Sequence, residues 1–197
     1  MNNLENLILK ALEQLNKLNS EQISNLVEIK EANSKSLLSI LINEHIVDEE
    51  TFFDVLSDIY RRGNADIDDI STDLQVDQKR FIEHVCKKFK ITFFDLDDID
   101  IDYRISEKLS TAQLKTYSAI PVKEDEISVY VAFKNPFDVI AQDKVQNLFN
   151  RKLLKVACAD PAQIEKYINK VALNESIKDV VAEIRRELSS SASQGQN

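Results

Sequence analysis

Apolar residues in the first 63 positions recur at intervals of three and four, the spacing that places side chains along one side of an α-helix. The first segment carries one such stripe: Leu4, Leu7, Ile8, Leu12, Leu15 and Leu18. Residues that favour helix starts precede the next three segments: Asn19 or Ser20, Ser34, and Asp48. Gly63 is placed to end the fourth segment in a left-handed conformation. The pattern predicts a bundle of short helices.

After Lys90 the pattern changes to short β-branched and aromatic runs, which favour strands. Ala119–Lys123 and Ile127–Phe133 predict a hairpin, whose second strand is nearly all apolar and therefore buried on both faces. Two further strands and three helices are predicted around it: strands over 91–97 and 152–159, and helices over 106–115, after Asn135-Pro136 and after Asp160-Pro161. The helix after Pro136 is predicted to bury Val139, Ile140, Val145 and Leu148.

These elements predict an α+β protein, in which an N-terminal bundle of short helices precedes a small α/β sandwich. The sandwich consists of the hairpin and a strand–helix–strand–helix unit with parallel strands. We predict four segments: a helical subdomain over 1–63, an acidic linker over 64–76, the α/β domain over 77–173, and an amphipathic helix with a disordered Ser-rich tail over 174–197.

Composition excludes several functions. The formal net charge is -9, whereas a general nucleic-acid binder needs a basic surface, so no nucleic-acid partner is expected. Only two glycines occur, Gly63 and Gly195, so neither a Walker A loop nor a dinucleotide fingerprint can be formed. We therefore expect no enzyme activity from this chain and no cofactor.

Cellular location follows from what the chain lacks. No basic n-region opens the sequence and no apolar run approaches the ~20 residues of a membrane span, so neither a signal peptide nor direct membrane insertion is expected. Cys86 and Cys158 stand far apart without metal or redox spacing, as in proteins of a reducing compartment. A cytoplasmic location is predicted.

Two other clusters contain residues of the types that form metal or catalytic sites. The acidic run Asp95, Asp97, Asp98, Asp100 and Asp102 lacks the glycine and the final glutamate of a calcium loop, so a solvated acidic loop is expected there. His84 and Cys86 are two residues apart on a predicted helix, hence on different faces, and they cannot form a nucleophile–base pair. His45 and His84 are expected to be surface or packing residues, and no metal site is predicted.

Three stretches within residues 80–172 carry a family pattern in the right order. They are a helix followed by Phe89–Leu96, Ile120-Pro121 before the hairpin, and Val131-Ala132-Phe133-Lys134-Asn135-Pro136-Phe137-Asp138 leading into a helix. This arrangement resembles the N-terminal domain of the type II secretion and type IV pilus assembly ATPases. Upstream, residues 18–62 resemble the helical segment that precedes this domain in the same ATPases.

The resemblance implies a non-catalytic docking and regulatory module that couples the motor to the inner-membrane platform. The implied partners are the cytoplasmic domain of a platform protein and the ATPase domain of the same full-length protein, which is hexameric in the family. The chain would then be an N-terminal fragment, held at the inner membrane only through its partners. The N-terminal helix and the acidic loop at 95–102 are candidate docking surfaces.

Some family members carry a cyclic di-GMP motif, R-L-G-x-x-L-V-x-x-G-x-I/L, in the upstream segment. Four positions keep its apolar pattern: Leu37, Leu41, Ile42 and Ile46. Its arginine falls on Ser36 and its two glycines on Leu38 and His45, which removes the guanidinium expected to meet the ligand and fills space that glycine leaves open. A cyclic di-GMP-binding regulatory domain with a divergent motif is the alternative function.

Overall fold

The computed structural model describes residues 1–149 and 151–194, and for 191–194 it describes the backbone alone. Ten helices lie in these ranges: α1 (Asn3–Gln14), α2 (Ser20–Ala32), α3 (Leu37–Asn43), α4 (Glu49–Arg61), α5 (Ile67–Leu74), α6 (Gln78–Phe89), α7 (Tyr103–Ser106), α8 (Thr111–Tyr117), α9 (Val139–Leu148) and α10 (Pro161–Gln194). Four strands accompany them: β1 (Thr92–Phe93), β2 (Ala119–Glu124), β3 (Ser128–Phe133) and β4 (Leu153–Cys158). The α+β class is confirmed.

Side-chain caps start α2 and α4 where the sequence predicts, whereas α3 begins two residues later than expected, capped by Ser36 and not by Ser34. The Asn19 side chain accepts a hydrogen bond from the Gln22 backbone N–H, and Gln22 reaches back to the Asn19 N–H in a capping box. Asp48 caps α4 through the Thr51 N–H at 2.7 Å. Gly63 follows this helix with a φ of +73°, the left-handed conformation that glycine adopts without strain.

The segment predicted as an acidic linker over 64–76, where a short helical turn around Ile67–Ile70 is also expected, contains helix α5, which belongs to the core. Asp66 caps α5, and the helix buries Ile67, Ile70 and Leu74, each at most 3% exposed. These side chains join one hydrophobic cluster with buried residues of α1–α4 and α6. The acidic residues lie on the outer side of α5, so a high local charge conceals an apolar stripe.

The sheet has the order β1-β4-β3-β2. β2 and β3 form the predicted hairpin, antiparallel with Ala119 opposite Phe133 and a register irregularity between Pro121 and Lys123. β3 runs parallel to β4, with α9 as the crossover between them. In β3 only Tyr130 is partly exposed, so the predicted burial on both faces is confirmed for Ser128–Phe133, whereas Ile127, the first residue of the predicted strand, lies outside β3 and is 73% exposed.

The helix after Pro136 begins later than predicted. Asp138, and not Asn135, is the N-cap, since its side chain accepts from the Ala141 N–H at 2.9 Å. Asn135 instead accepts from the Phe137 N–H within the preceding turn. As a correction, Val139 and Ile140 are 62% and 74% exposed, because the first turn of α9 lies beyond the end of the sheet and only later residues reach the core.

Two more helices differ from the prediction. The helix expected over 106–115 is divided into α7 and α8, because Ser110 caps a new helix through the Gln113 N–H. α10 is one continuous helix, where the sequence predicts two helices and a disordered tail from Ser189. The serine-rich segment stays helical through Gln194, and the rest of the predicted tail, 195–197, lies outside the described residues.

Aromatic side chains join the helical bundle to the sheet. The second hydrophobic cluster contains buried residues of the sheet and of α7–α10. Phe137 stands edge-on to Tyr60 at 5.7 Å and to Phe89 at 5.3 Å between ring centroids. The Tyr60 hydroxyl, on α4, donates to the Lys134 carbonyl at the end of β3, 3.3 Å away. The turn after β3 therefore docks onto α4 and α6.

Candidate functional site

The four apolar positions of the cyclic di-GMP-like motif lie on α3 and the turn that follows it. Leu37 and Leu41 are fully buried in the first hydrophobic cluster, so they pack the bundle and are closed to a ligand. Ile42 and Ile46 are partly buried and line a shallow cleft with Lys17 and His45. The structure therefore brings two of the four predicted residues to a surface.

The backbone at the motif's former glycine position keeps a glycine-like conformation. His45 has a φ of +54°, in the left-handed region that most residues avoid. Its N–H donates to the Ile42 carbonyl and the next N–H, of Ile46, donates to Leu41, both at 3.0 Å, which closes the end of α3. Ser36, where the motif has arginine, is the N-cap of α3.

Acidic groups dominate the rim of this cleft. Asp48 and Glu49 line it opposite a single lysine, Lys17. The Thr51 backbone N–H, donating to Asp48, lowers the pKa of that carboxyl, so it stays ionised at neutral pH. An anionic ligand would meet the Asp48 carboxylate, a Glu49 carboxylate already paired with Arg80 at 2.7 Å, and one ammonium group.

The acidic loop after β1 is fastened to the protein by two of its five aspartates. Asp95 pairs with Lys79 at 2.7 Å and accepts from the Gln163 amide at 2.6 Å. These two hydrogen bonds, the lysine's first, lower the pKa of Asp95 to about 2. Asp97 pairs with Lys166 of α10 at 2.6 Å, so the loop joins α6 to α10. Its carboxylates serve an internal clasp, and no group of three or more His, Cys, Asp or Glu side chains in the described part of the chain converges to hold a metal ion.

The predicted docking helix at the N-terminus is mainly a core element. Leu4, Ile8 and Leu12 are at most 6% exposed, and Leu15 at its end is 56% exposed. Glu5, although charged, is 1% exposed because Lys30 lies 2.6 Å from its carboxylate. The helix presents few apolar atoms to a partner.

The two cysteines that are 72 residues apart in sequence meet in space. Cys86 near the end of α6 and Cys158 at the end of β4 are buried in the same hydrophobic cluster. The hydrogen bond with Cys86, together with burial, raises the pKa of the Cys158 thiol far above its usual range, so it is not a nucleophile. No spacing in the sequence signals this pair, since parallel pairing of β1 with β4 creates it.

His84 does not contact this thiol pair. Its ring lies 2.9 Å from an Asp54 carboxylate oxygen and packs edge-on against Phe53, at 5.6 Å between centroids. The expectation of a packing histidine is confirmed for His84, and His45 is an exposed residue of the turn after α3.

Exposed apolar side chains mark three surfaces. Val139 and Ile140 stand on the first turn of α9, and Ile127 and Leu153, 73% and 56% exposed, meet at the far end of the sheet where the Leu153 N–H donates to the Ile127 carbonyl. A third surface lies along α10: Leu173, Ile177, Val180, Val181, Ile184 and Leu188. The sequence pattern predicts that Val139 and Ile140 are buried in the core. They lie outside the core because α9 begins later than predicted. No helix in the described ranges is both long and apolar enough to cross a membrane.

Comparison with known proteins identifies the α/β part of the chain. Residues 89–176 match the family model of the MshEN domain. A solved structure of MshE with cdg has 13% sequence identity and a TM-score of 0.44, and the match covers 87% of this chain and 99% of that one. The N-terminal domain of XpsE has 16% identity and a TM-score of 0.39 over 86% and 97% of the two chains. No curated protein sequence matches the chain.

The matched residues coincide with the stretch, 80–172, whose motifs resemble the secretion ATPases. Within it, the Asn135-Pro136-x-Asp138 segment forms the capped entry to α9, and Ile120-Pro121 lies inside β2. The match of residues 89–176 to the MshEN family model confirms the resemblance to the N-terminal domain of type II secretion and type IV pilus assembly ATPases.

Proposed function

We propose that the chain is a non-catalytic docking and regulatory module, which couples a type II secretion or type IV pilus assembly ATPase to the cytoplasmic domain of its inner-membrane platform. The MshEN domain over residues 89–176 supports this role. The module needs no reaction of its own, since binding energy at one surface transmits the motor's movement. Its second partner is the ATPase domain of the same full-length protein.

The observation that carries the proposal is the exposed pair on the first turn of α9. Val139 and Ile140 are β-branched side chains, 62% and 74% exposed, directly after the motif segment. Their position is fixed, because Asp138 caps the helix and Phe137 anchors the turn against Tyr60 and Phe89. A rigid turn that presents two bulky aliphatic side chains suits an interface core, which loses little conformational entropy on binding.

The other candidate surfaces are less suited to the same task. The N-terminal helix uses its apolar face in the core, and the acidic loop uses Asp95 and Asp97 in its internal clasp. Val139 and Ile140 belong neither to the hydrophobic core nor to an internal ion pair, and their side chains are exposed. We therefore assign the docking surface to the start of α9.

Calorimetric titration of this chain with the cytoplasmic domain of the platform protein tests the proposal. Saturable binding is expected, and Val139→Asp/Ile140→Asp should weaken it by roughly 100-fold, at about one decade for each apolar side chain removed from an interface core. Leu15→Asp, which charges an equally exposed leucine on α1, is the matched control and should bind normally. Absence of binding at high micromolar concentration would reject docking, and equal affinity of both variants would reject the assigned surface.

Cyclic di-GMP binding is a second candidate, favoured by the left-handed backbone at His45, where the motif has glycine. The scaffold of the motif is retained in Leu37 and Leu41, and the cleft at Ile42 and Ile46 is the place for the ligand. Calorimetry with the dinucleotide tests this directly. The matched variant is Ser36→Arg/Leu38→Gly/His45→Gly, which restores the motif. Heat of binding from the restored variant alone would show that the native chain has lost this function.

A further inference from the structure

Nearly the last two thirds of α10, from residue 173 onward, extend beyond the body of the protein. Val171 is the last buried residue of this helix, and residues 173–190 are all exposed. Two polar contacts near the base hold the extension, Lys178 to Glu107 at 2.9 Å and the Thr111 hydroxyl to the Glu175 carboxylate. A helix without tertiary packing is marginal in water, and packing of an apolar face is what normally stabilises it.

The extension carries such a face. Leu173, Ile177, Val180, Val181, Ile184 and Leu188 are 42–66% exposed. At 100° per residue these six side chains fall within an arc of about 100°, and they span about 22 Å along the helix. Their spacing of three and four residues forms one continuous stripe, which we call the α10 stripe.

The α10 stripe faces away from the protein's own core. The side chains that attach the helix to the domain are Ile164, Tyr167, Ile168 and Val171, each at most 8% exposed. They lie on average about 140° around the helix axis from the stripe. At the base of the stripe Ile177 lines a pocket with Tyr103 and Glu107 of the domain, so a second helix would meet the domain there and lie clear of it farther along.

We propose that the α10 stripe binds the same stripe of a second copy of this chain, in a parallel, two-fold symmetric helix pair. Such an interface must be self-complementary, because each residue faces its own counterpart across the axis. The stripe meets this condition, since aliphatic side chains occupy it from end to end and no charged residue interrupts the arc from Leu173 to Leu188.

Charges beside the stripe select the parallel orientation. Lys178 and Arg185, seven residues apart, flank it on one side at about 100° from its centre. Ser176 and Glu183, also seven apart, flank it on the other side. In a parallel pair the basic flank of one copy faces the acidic flank of the other. Arg185 of one helix and Glu183 of the second helix then differ in height along the common axis by only about 3 Å.

An antiparallel pair would bring like flanks together. The two-fold axis would then place Arg185 of one helix on the same side as Lys178 of the other, where Lys178 is already paired with Glu107 and Arg185 would have no acidic partner from the second helix. The same axis would leave Glu183 beside Ser176 without a cationic partner. The distribution of charge therefore favours the parallel arrangement.

Sedimentation equilibrium of the full chain tests the pairing. A reversible dimer is expected, and Ile177→Asp or Ile184→Asp should each weaken it by at least about 10-fold, since each removes a buried aliphatic contact and places like charges across the axis. Ala182→Asp, on the opposite side of the same helix, is the matched control and should dimerise as the native chain does. All three positions lie outside both hydrophobic clusters, so each variant should keep its native circular dichroism. A monomer at several hundred micromolar would overturn the proposal.

Cross-linking tests the orientation. Under mild oxidation Ile177→Cys and Ile184→Cys should each give a disulfide-linked dimer by itself, because identical residues face each other in a parallel pair. Ala182→Cys should not, and the native Cys86 and Cys158 are buried and cannot contribute. Cross-linking only when Ile177→Cys and Ile184→Cys chains are mixed would show the antiparallel pair and overturn the parallel one.

Discussion

Gln163, in the first turn of α10, donates from its side-chain amide to the carboxylate of Asp95, 2.6 Å away in the loop after β1. The same amide group accepts, through Oε1, from the buried Leu96 backbone N–H at 3.0 Å. The Gln163 side chain thus gives the buried Leu96 N–H an acceptor, 67 residues away in sequence, and also donates to the ionised Asp95 carboxylate. This amide and the ion pair between Asp97 and Lys166 together hold the loop on α10.

Replacing Gln163 with alanine should lower the free energy of unfolding by about 1–3 kcal/mol, because the Leu96 N–H would remain buried without an acceptor. Chemical denaturation measures the effect. Gln14→Ala, at an exposed position on α1, is the control and should change stability by no more than about 0.5 kcal/mol. Equal stability of the two variants would show that water replaces the amide.

Asp95 makes stability depend on pH in a defined window. Its pKa in the folded protein is about 2, below the usual 3.8, because Lys79 and Gln163 hydrogen-bond to the ionised form. The unfolded chain therefore takes up the proton first as the pH falls, and the stabilisation is complete above about pH 4 and lost between about pH 4 and 2. The stability of native protein should exceed that of Asp95→Asn at pH 6, and the difference should shrink through this window.

The matched control is Asp98→Asn, an exposed carboxylate of the same loop. Denaturant midpoints of the three proteins between pH 2 and 7 make the comparison. A constant difference between native protein and Asp95→Asn across that range would contradict a role for the ionised carboxylate.

Phe137 is expected to couple the helical bundle to the sheet. Its ring meets Tyr60 of α4 and Phe89 of α6, while its backbone belongs to the turn after β3. Phe137→Ala should lower the unfolding free energy by about 2–4 kcal/mol, through lost burial and two lost edge-to-face contacts. Hydrogen exchange should quicken in α4 and α6 as well as in β3.

Val139→Ala, two residues later and exposed, is the control for this segment and should leave stability within about 0.5 kcal/mol of native. If Phe137→Ala proved equally mild, the bundle would be held to the sheet by other contacts, such as the hydrogen bond from Tyr60 to the Lys134 carbonyl.

Hydrophobic periodicity and capping residues predicted most of the helices, because each N-cap acts within four residues of sequence. Asp48 caps the helix assigned to it, and the hairpin from Ala119 to Phe133 pairs as expected. Local signals failed where two candidates competed. Asn135 and Asp138 can both cap a helix, and the docking of Phe137 onto α4 and α6 decides for Asp138.

Other features of the candidate sites depend on packing that no local pattern contains. The burial of α5 and the meeting of Cys86 with Cys158 arise from contacts between distant elements. For the α10 stripe the local pattern is clear, but the burial that it predicts does not occur. Its periodicity predicts a buried face, yet its six side chains are 42–66% exposed in the part of the chain that the structure describes, and only the structure distinguishes a core helix from an uncovered one.

Glycine marks few of the helix ends among the described residues, so the sequence gives little indication of where the helices stop. Among the described residues, five non-glycine residues adopt the left-handed conformation: Asn16, His45, Gln75, Lys90 and Ser118. Gln75, Lys90 and Ser118 are the C-caps of α5, α6 and α8. Sequence rules that expect glycine after a helix therefore find only Gly63.

Substitution of His45 tests whether the left-handed backbone conformation at this position lowers the stability of the protein. A side chain with a Cβ costs roughly 1–2 kcal/mol in the left-handed region, whereas glycine adopts it freely but loses more entropy on folding. The energy gained by removing the Cβ should exceed the entropic cost of glycine, so His45→Gly should raise the free energy of unfolding by about 0.5–1 kcal/mol. His45→Ala, which keeps the Cβ, should not stabilise the protein. Thermal unfolding distinguishes these outcomes, and a gain shared by both variants would assign the effect to the lost imidazole and not to the backbone.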